Sequence, residues 1–117
     1  MGTVLIVEDD VSTCEMLVRM VARVNCPSHC TASAGQALLY LEQALPAAIL
    51  LDLRLPDADG SIILRRVRRD QLPIKVAVVT GAANLPPAVV TLAPDAVFSK
   101  PVNLPQLSKW VKDACVA

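Results

Sequence analysis

The chain has 117 residues, 54% of them hydrophobic but only 3% aromatic, and its 11 basic and 11 acidic side chains balance. That length suits one domain with an aliphatic core, and the composition argues against disorder. The neutral balance gives no electrostatic reason to expect nucleic acid or a membrane surface as a direct partner. The apolar runs are too short to span a bilayer. Glu8, Asp9 and Asp10 break the N-terminus where a signal peptide would need an apolar stretch. Met1-Gly2 invites N-myristoylation, but Ile6 stands in the Ser/Thr slot and the motif fails.

In chain order, Thr3 to Val7 is a continuous β-branched and aliphatic run, read as a buried strand that ends at Glu8-Asp9-Asp10. A helix is expected from about Ser12 to Val24, with Leu17, Met20, Val21 and Val24 inward, Arg19 and Arg23 outward, and Pro27 as its stop. Ser28 to Ala32 is a weak second strand. Ser33 and Gln36 fit a capping box ahead of a helix to about Gln43, with Leu38 and Leu41 as core candidates. Ala48 to Leu51 is a four-residue aliphatic strand that ends in one carboxylate, Asp52. A turn-rich loop, Leu53 to Gly60, leads into a helix from about Ser61 to Asp70. Ile63, Leu64 and Val67 share its inner face. Arg65, Arg66, Arg68 and Arg69 read as a solvated face beside the negative end of the helix dipole. Lys75 to Val79 is a fourth strand, ending at Thr80-Gly81-Ala82. Pro86 and Pro87 can open only a short helix, to about Leu92. Ala96 to Ser99 is a fifth strand ending at Lys100-Pro101. Asn103 can cap a last helix that carries Leu107, Trp110, Val111 and Ala114 inward.

The four cysteines are Cys14, Cys26, Cys30 and Cys115, at a spacing unlike a disulfide framework. Cys26, His29 and Cys30 are only three clustered candidate ligands, without the second pair that a zinc site needs. Buried, reduced thiols of a cytoplasmic protein are the expectation.

Strand and helix therefore alternate five times. This implies an α/β fold, a doubly wound parallel sheet with helices on both faces and right-handed crossovers. The polar residues that close the strands then gather at one edge, where ligands bind in such sheets. They are Glu8 and Asp9, Asp52, Thr80 and Lys100. Three carboxylates together want a cation, and all-oxygen ligation with room for water suits Mg²⁺. A lysine, a hydroxyl and free backbone N–H groups beside it suit a tetrahedral anion. These are the parts of a phosphoryl-transfer site with Asp52 as nucleophile. The plainer alternative is that Lys100 only neutralises Asp52.

The chain resembles the receiver domains of the response-regulator superfamily, the phosphoacceptor half of two-component signalling. The marks are Val4 to Asp10, Leu51 to Gly60, Val79-Thr80-Gly81-Ala82 and Ser99-Lys100-Pro101. The resemblance covers residues 1–117 as a single receiver domain with the flavodoxin-like (βα)5 fold and strand order 2-1-3-4-5. It implies that Asp52 accepts a phosphoryl group from phosphohistidine on a sensor histidine kinase or phosphotransfer protein. It also implies Mg²⁺ held by Glu8, Asp9, Asp52 and the Arg54 carbonyl. Thr80 is then the switch hydroxyl, Lys100 the phosphate-pairing lysine, and the bond before Pro101 is cis. Such a domain is a phosphoacceptor, not an enzyme, beyond catalysing its own phosphotransfer and dephosphorylation. It works in the cytoplasm and signals through a partner or a fused output domain.

The sequence departs from the family at two places. Val97 occupies the position three before the lysine that is usually aromatic. The segment from Asn84 to Asp95 is short and proline-rich. Strand alternation puts Phe98 on the same face as Lys100, not in the aromatic slot, so Phe98 is expected to be core. Two other classes compete. A haloacid-dehalogenase-like phosphatase would need its nucleophile after the first strand, where Glu8 stands. A receiver-fold binding module that is never phosphorylated would be expected to lack Asp52, Thr80 or Lys100. No output domain follows in this sequence, which suits either a stand-alone regulator or a receiver cut from a longer protein.

Overall fold

The structure, a computed structural model, describes residues 2–116. The strands are β1 (Val4–Val7), β2 (Ser28–Thr31), β3 (Ala48–Leu51), β4 (Lys75–Thr80) and β5 (Ala96–Ser99). The helices are α1 (Val11–Arg23), α2 (Ala34–Gln43), α3 (Ser61–Arg69), α4 (Pro87–Leu92) and α5 (Leu104–Val116). The five strands pair in parallel in the order β2-β1-β3-β4-β5. The expected α/β, doubly wound sheet is therefore present, with its expected order.

Strand period sorts the core into two layers. Leu5, Val7, Ile49, Leu51, Val76 and Val78 face one way and pack on α2, α3 and α4. Val4, Ile6, Ala48, Leu50, Ala77 and Val79 face the other way and pack on α1 and α5. Side chains alternate along a strand, so aliphatic residues at every position fill both layers. Burying each of the larger aliphatics contributes roughly 1.5–3 kcal/mol. Phe98 packs in the α1–α5 layer, edge-on to Trp110 with ring centroids 6.5 Å apart. Val97 looks out on the opposite face and is 44% exposed, because the short α4 does not cover it.

The helix ends show which local signals carried weight. Ser33 Oγ accepts from Gln36 N at 3.1 Å, while Gln36 Oε1 accepts from Ala32 N at 2.9 Å. Asn103 Oδ1 accepts from Gln106 N at 3.1 Å, as its capping role requires. α1 begins at Val11, because Asp10 Oδ2 caps it through Thr13 N at 2.9 Å. Its stop is not Pro27. The helix ends at Arg23, and Asn25 turns the chain with φ 62°, a conformation asparagine tolerates.

Two readings need correction. The arginine face of α3 is not simply solvated. Arg68 bonds the Leu92 and Ala93 carbonyls at 3.1 and 2.8 Å and the Asp95 carboxylate at 3.3 Å. It ties α3 to the end of α4, while Arg66 and Arg69 pair with Asp70. Nor are all the thiols reduced. Cys14 and Cys30 are joined as a disulfide, with Cα atoms 6.7 Å apart, while Cys26 and Cys115 are free and buried. Cys14 and Cys30 are 16 positions apart in the sequence, and only the packing of α1 over β1 and β2 brings them together. His29 stacks on Tyr40 instead of joining cysteines in a metal site.

Candidate functional site

The rows of the α1–α5 layer run on past the strand ends. Val4 and Ile6 lead to Glu8, Ala48 and Leu50 to Asp52, and Ala96 and Phe98 to Lys100. Parallel register keeps these ends level: Asp52 N donates to Val7 O at 3.0 Å, and Lys100 N to Thr80 O at 2.8 Å. The three side chains meet. Lys100 Nζ is 2.6 Å from Glu8 Oε1 and 3.5 Å from Asp52 Oδ2. Asp9, in the exposed turn beside them, completes a cluster. One carboxylate oxygen from each of Glu8, Asp9 and Asp52 lies within 4.8 Å of the others. Thr80 is buried at the end of β4, and its Oγ1 accepts from Ala82 N at 3.1 Å. The Lys100–Pro101 bond is cis, as expected.

The electrostatics show an acidic site short of positive charge. Glu8 is only 3% exposed, and burial pushes its carboxyl up from 4.5 to about 7. The Asp52 carboxylate beside it pushes the same way, against the pull of Lys100. Burial alone would lower Lys100, but the hydrogen bond to Glu8 and the charges of Asp52 and Glu8 outweigh it and raise its ammonium. One lysine thus serves two carboxylates and sits nearer to Glu8. Carboxylate oxygens this close favour a hard cation with oxygen ligands.

The loop after Asp52 carries two more aspartates, and neither joins the site. Asp57 accepts from Ala34 N and Gly35 N, both at 2.9 Å, and caps the start of α2. Asp59 Oδ1 accepts from Ser61 N at 2.8 Å and caps α3. Asp52 Oδ1 accepts from Arg54 N at 3.1 Å, which folds the loop back over the acidic residue.

Gly60 has a role that the sequence reading passed over. A Cβ there would stand 2.2 Å from the Asp52 carbonyl oxygen and 3.0 Å from Leu53 Cα. Its φ is an ordinary −60°, so space, not backbone freedom, selects glycine. Gly60→Ala should therefore shift the Asp52 backbone and cost at least about 1 kcal/mol. Denaturant unfolding checks the stability loss. The Asp52 amide resonance should move as well.

Comparison with known proteins gives the class. The model of the response regulator receiver domain family matches residues 4–112. The chain belongs to that family. It is 31% identical over 114 residues to the regulatory protein AtoC of Escherichia coli, covering 95% of this chain and 24% of AtoC. It thus spans about a quarter of that relative's length. It also superimposes on a CheY-like receiver domain protein from Methanospirillum hungatei JF-1 with a TM-score of 0.90 and 26% identity. That match covers 99% of this chain and 94% of the other. The receiver domain of a sensor histidine kinase from Pseudomonas aeruginosa shares the fold, with a TM-score of 0.86 at 21% identity. It covers 99% of this chain and 98% of that one. The chain is thus a receiver domain of two-component signalling, a class that takes up a phosphoryl group and is not a conventional enzyme.

Proposed function

We propose that Asp52 is the phosphoacceptor, with Glu8, Asp9, Asp52 and the Arg54 carbonyl as ligands of Mg²⁺. The convergence of Lys100 on Glu8 and Asp52 beside Thr80 is the observation that carries this reading. The acidic donor set fits the ion, and the Pseudomonas aeruginosa receiver is described with magnesium in its active-site cleft. Bound here, the ion would offset charge on the carboxylates and on the incoming phosphoryl oxygens.

The chain's own groups supply the remaining chemistry. An Asp52 carboxylate oxygen attacks phosphorus as the P–N bond to the donor's imidazole breaks, and the electron pair leaves on nitrogen. Lys100 can turn from Glu8 to a phosphoryl oxygen. The Thr80 hydroxyl can donate to another, with the Gly81 and Ala82 amides close behind it. The donor is a phosphohistidine on a sensor histidine kinase or phosphotransfer protein, and the cytoplasm is the compartment this implies. The output partner is another protein or a fused domain. Neutral charge gives no reason for direct contact with nucleic acid. The same groups, with water as the attacking species, serve the domain's own dephosphorylation.

The test uses acetyl phosphate as donor. Intact mass should show one phosphoryl group added in Mg²⁺ and none after full chelation. Labelling that survives chelation would remove the metal from the mechanism. No labelling under any condition would favour an unphosphorylated binding module.

The switch should differ from one based on a swinging ring. Val97 stands where a ring would be, and Phe98 is held against Trp110 on the other face. With and without beryllofluoride, Phe98 should keep its rotamer while Thr80 to Ala83 rearranges. A rotamer change of Phe98 coupled to Thr80 would contradict this register.

A further inference from the structure

The four cysteines fall into two pairs with different access. Cys26 and Cys115 are free and buried, and the Cys115 thiol is pushed up to about 12, first by burial and then by the neighbouring Cys26 thiol. Such thiols are inert. Cys14 and Cys30 are bridged, and both are half-buried. Cys30 lies on β2, an edge strand of the sheet, with its side chain turned to α1 and only partly covered. That partial exposure leaves a small thiol a route to the bridge from solvent. Cys14 lies in the first turn of α1, where the helix N-terminus favours a departing thiolate, although Asp10 sits close by.

The bridge joins the two anchors of the acidic turn. On one side, Cys14 N donates to Asp10 O at 2.9 Å, and Asp10 N donates to Glu8 Oε2 at 3.4 Å. On the other side, Glu8 N donates to the carbonyl of Thr31, the residue after Cys30, at 3.0 Å. The turn from Glu8 to Asp10 is thus suspended between α1 and β2, and the disulfide fixes the distance between its supports. A crosslink that spans a flexible turn removes conformations open to that turn once the link is broken.

We propose that the Cys14–Cys30 bridge is a thiol–disulfide switch that holds the Glu8–Asp10 turn when closed and loosens it when opened by a low-molecular-weight thiol. Its effect on cation affinity rests on the reading of Glu8, Asp9 and Asp52 as a metal site. In opening, a thiolate RS⁻ attacks Cys30 Sγ. The bond to Cys14 breaks, and its electron pair leaves on Cys14 Sγ, which takes up a proton. A second thiolate attacks the outer sulfur of the mixed disulfide, and Cys30 departs as a thiolate and is protonated. Two RSH are oxidised to RSSR, and the bridge is reduced to two thiols. Oxidised glutathione drives the same exchange in reverse.

The test takes the full chain through reduced and oxidised glutathione. Alkylation and mass after denaturation should count four free thiols in the first state and two in the second. Amide exchange at residues 9–14 should be roughly tenfold faster in the reduced state, as expected for a local opening. The Mg²⁺ concentration that half-saturates the melting shift should rise several-fold. Cys14→Ser and Cys30→Ser should match the reduced chain and ignore glutathione, while Cys26→Ser should keep the response. If either bridge variant fails to fold, the reduced parent carries the same test. Four free thiols in excess oxidised glutathione would overturn the proposal, and so would equal exchange in the two states. Faster exchange on reduction, with no Mg²⁺ shift in either state, would support the switch and reject the metal site.

Discussion

Asp52→Asn should abolish phosphoryl uptake from acetyl phosphate, whereas Asp57→Asn and Asp59→Asn should leave it measurable. All three residues lie in or beside one loop, so sequence position alone does not separate them. Geometry does. Asp57 gives its carboxylate to two backbone amides at the start of α2, and those bonds hold its carboxyl below the usual range. Asp59 is turned to Ser61 N. Only Asp52 sits beside Glu8 and Lys100. An amide in its place loses the anionic nucleophile and one metal ligand at once, while Asp57 and Asp59 stay tied to backbone amides elsewhere in the loop. Intact mass after incubation with donor and Mg²⁺ is the measurement. Labelling of Asp52→Asn at the parent's rate would move the acceptor elsewhere. Asp57→Asn should instead melt at lower temperature, because an amide oxygen can accept only one of the two backbone N–H bonds at the start of α2, whereas Asp59→Asn keeps an acceptor for Ser61 N and should melt close to the parent.

The sheet and the site were legible in the sequence for one physical reason. Strand period and parallel register are local properties, and together they bring residues at successive strand ends to one edge. Glu8, Asp52, Thr80 and Lys100 follow from where aliphatic runs stop. Phe98 was placed on the Lys100 face by alternation alone, and it packs there. Contacts between elements were not legible. Nothing near Asp57 signals Ala34 and Gly35, nothing on α3 marks Arg68 for the end of α4, and no spacing rule pairs Cys14 with Cys30. The Gly60 contact with the Asp52 carbonyl also depends on how the loop folds back. Its one available signal was a glycine directly before a helix, where a side-chain cap is common.

Without Mg²⁺, the chain should lose stability as pH rises from about 4.5 to about 7, by an amount on the order of 2 kcal/mol. The sign follows from Glu8. Its carboxyl ionises near 4.5 in an unfolded chain and near 7 in the folded one. Between those values the folded state holds more protons than the unfolded state, so each rise in pH favours unfolding. The contribution is fully present below the lower value and is lost as pH passes through the higher one. Burial is the main cause, reinforced by Asp52 and opposed by Lys100. Mg²⁺ should reverse the trend, because it binds the ionised carboxylates of the folded state and stabilises that state by mass action. At saturating Mg²⁺ the loss towards pH 7 should shrink or vanish. Glu8→Gln should flatten the metal-free profile, since the group that takes up the proton is gone. Asp9→Asn should keep the metal-free slope, because Asp9 is exposed, and yet weaken the Mg²⁺ effect. Urea unfolding from pH 5 to 8, with and without the ion, separates these outcomes. A flat metal-free profile in the parent would mean that Lys100 alone satisfies both buried carboxylates. Equal stabilisation of the parent and Asp9→Asn by Mg²⁺ would remove Asp9 from the ligand set.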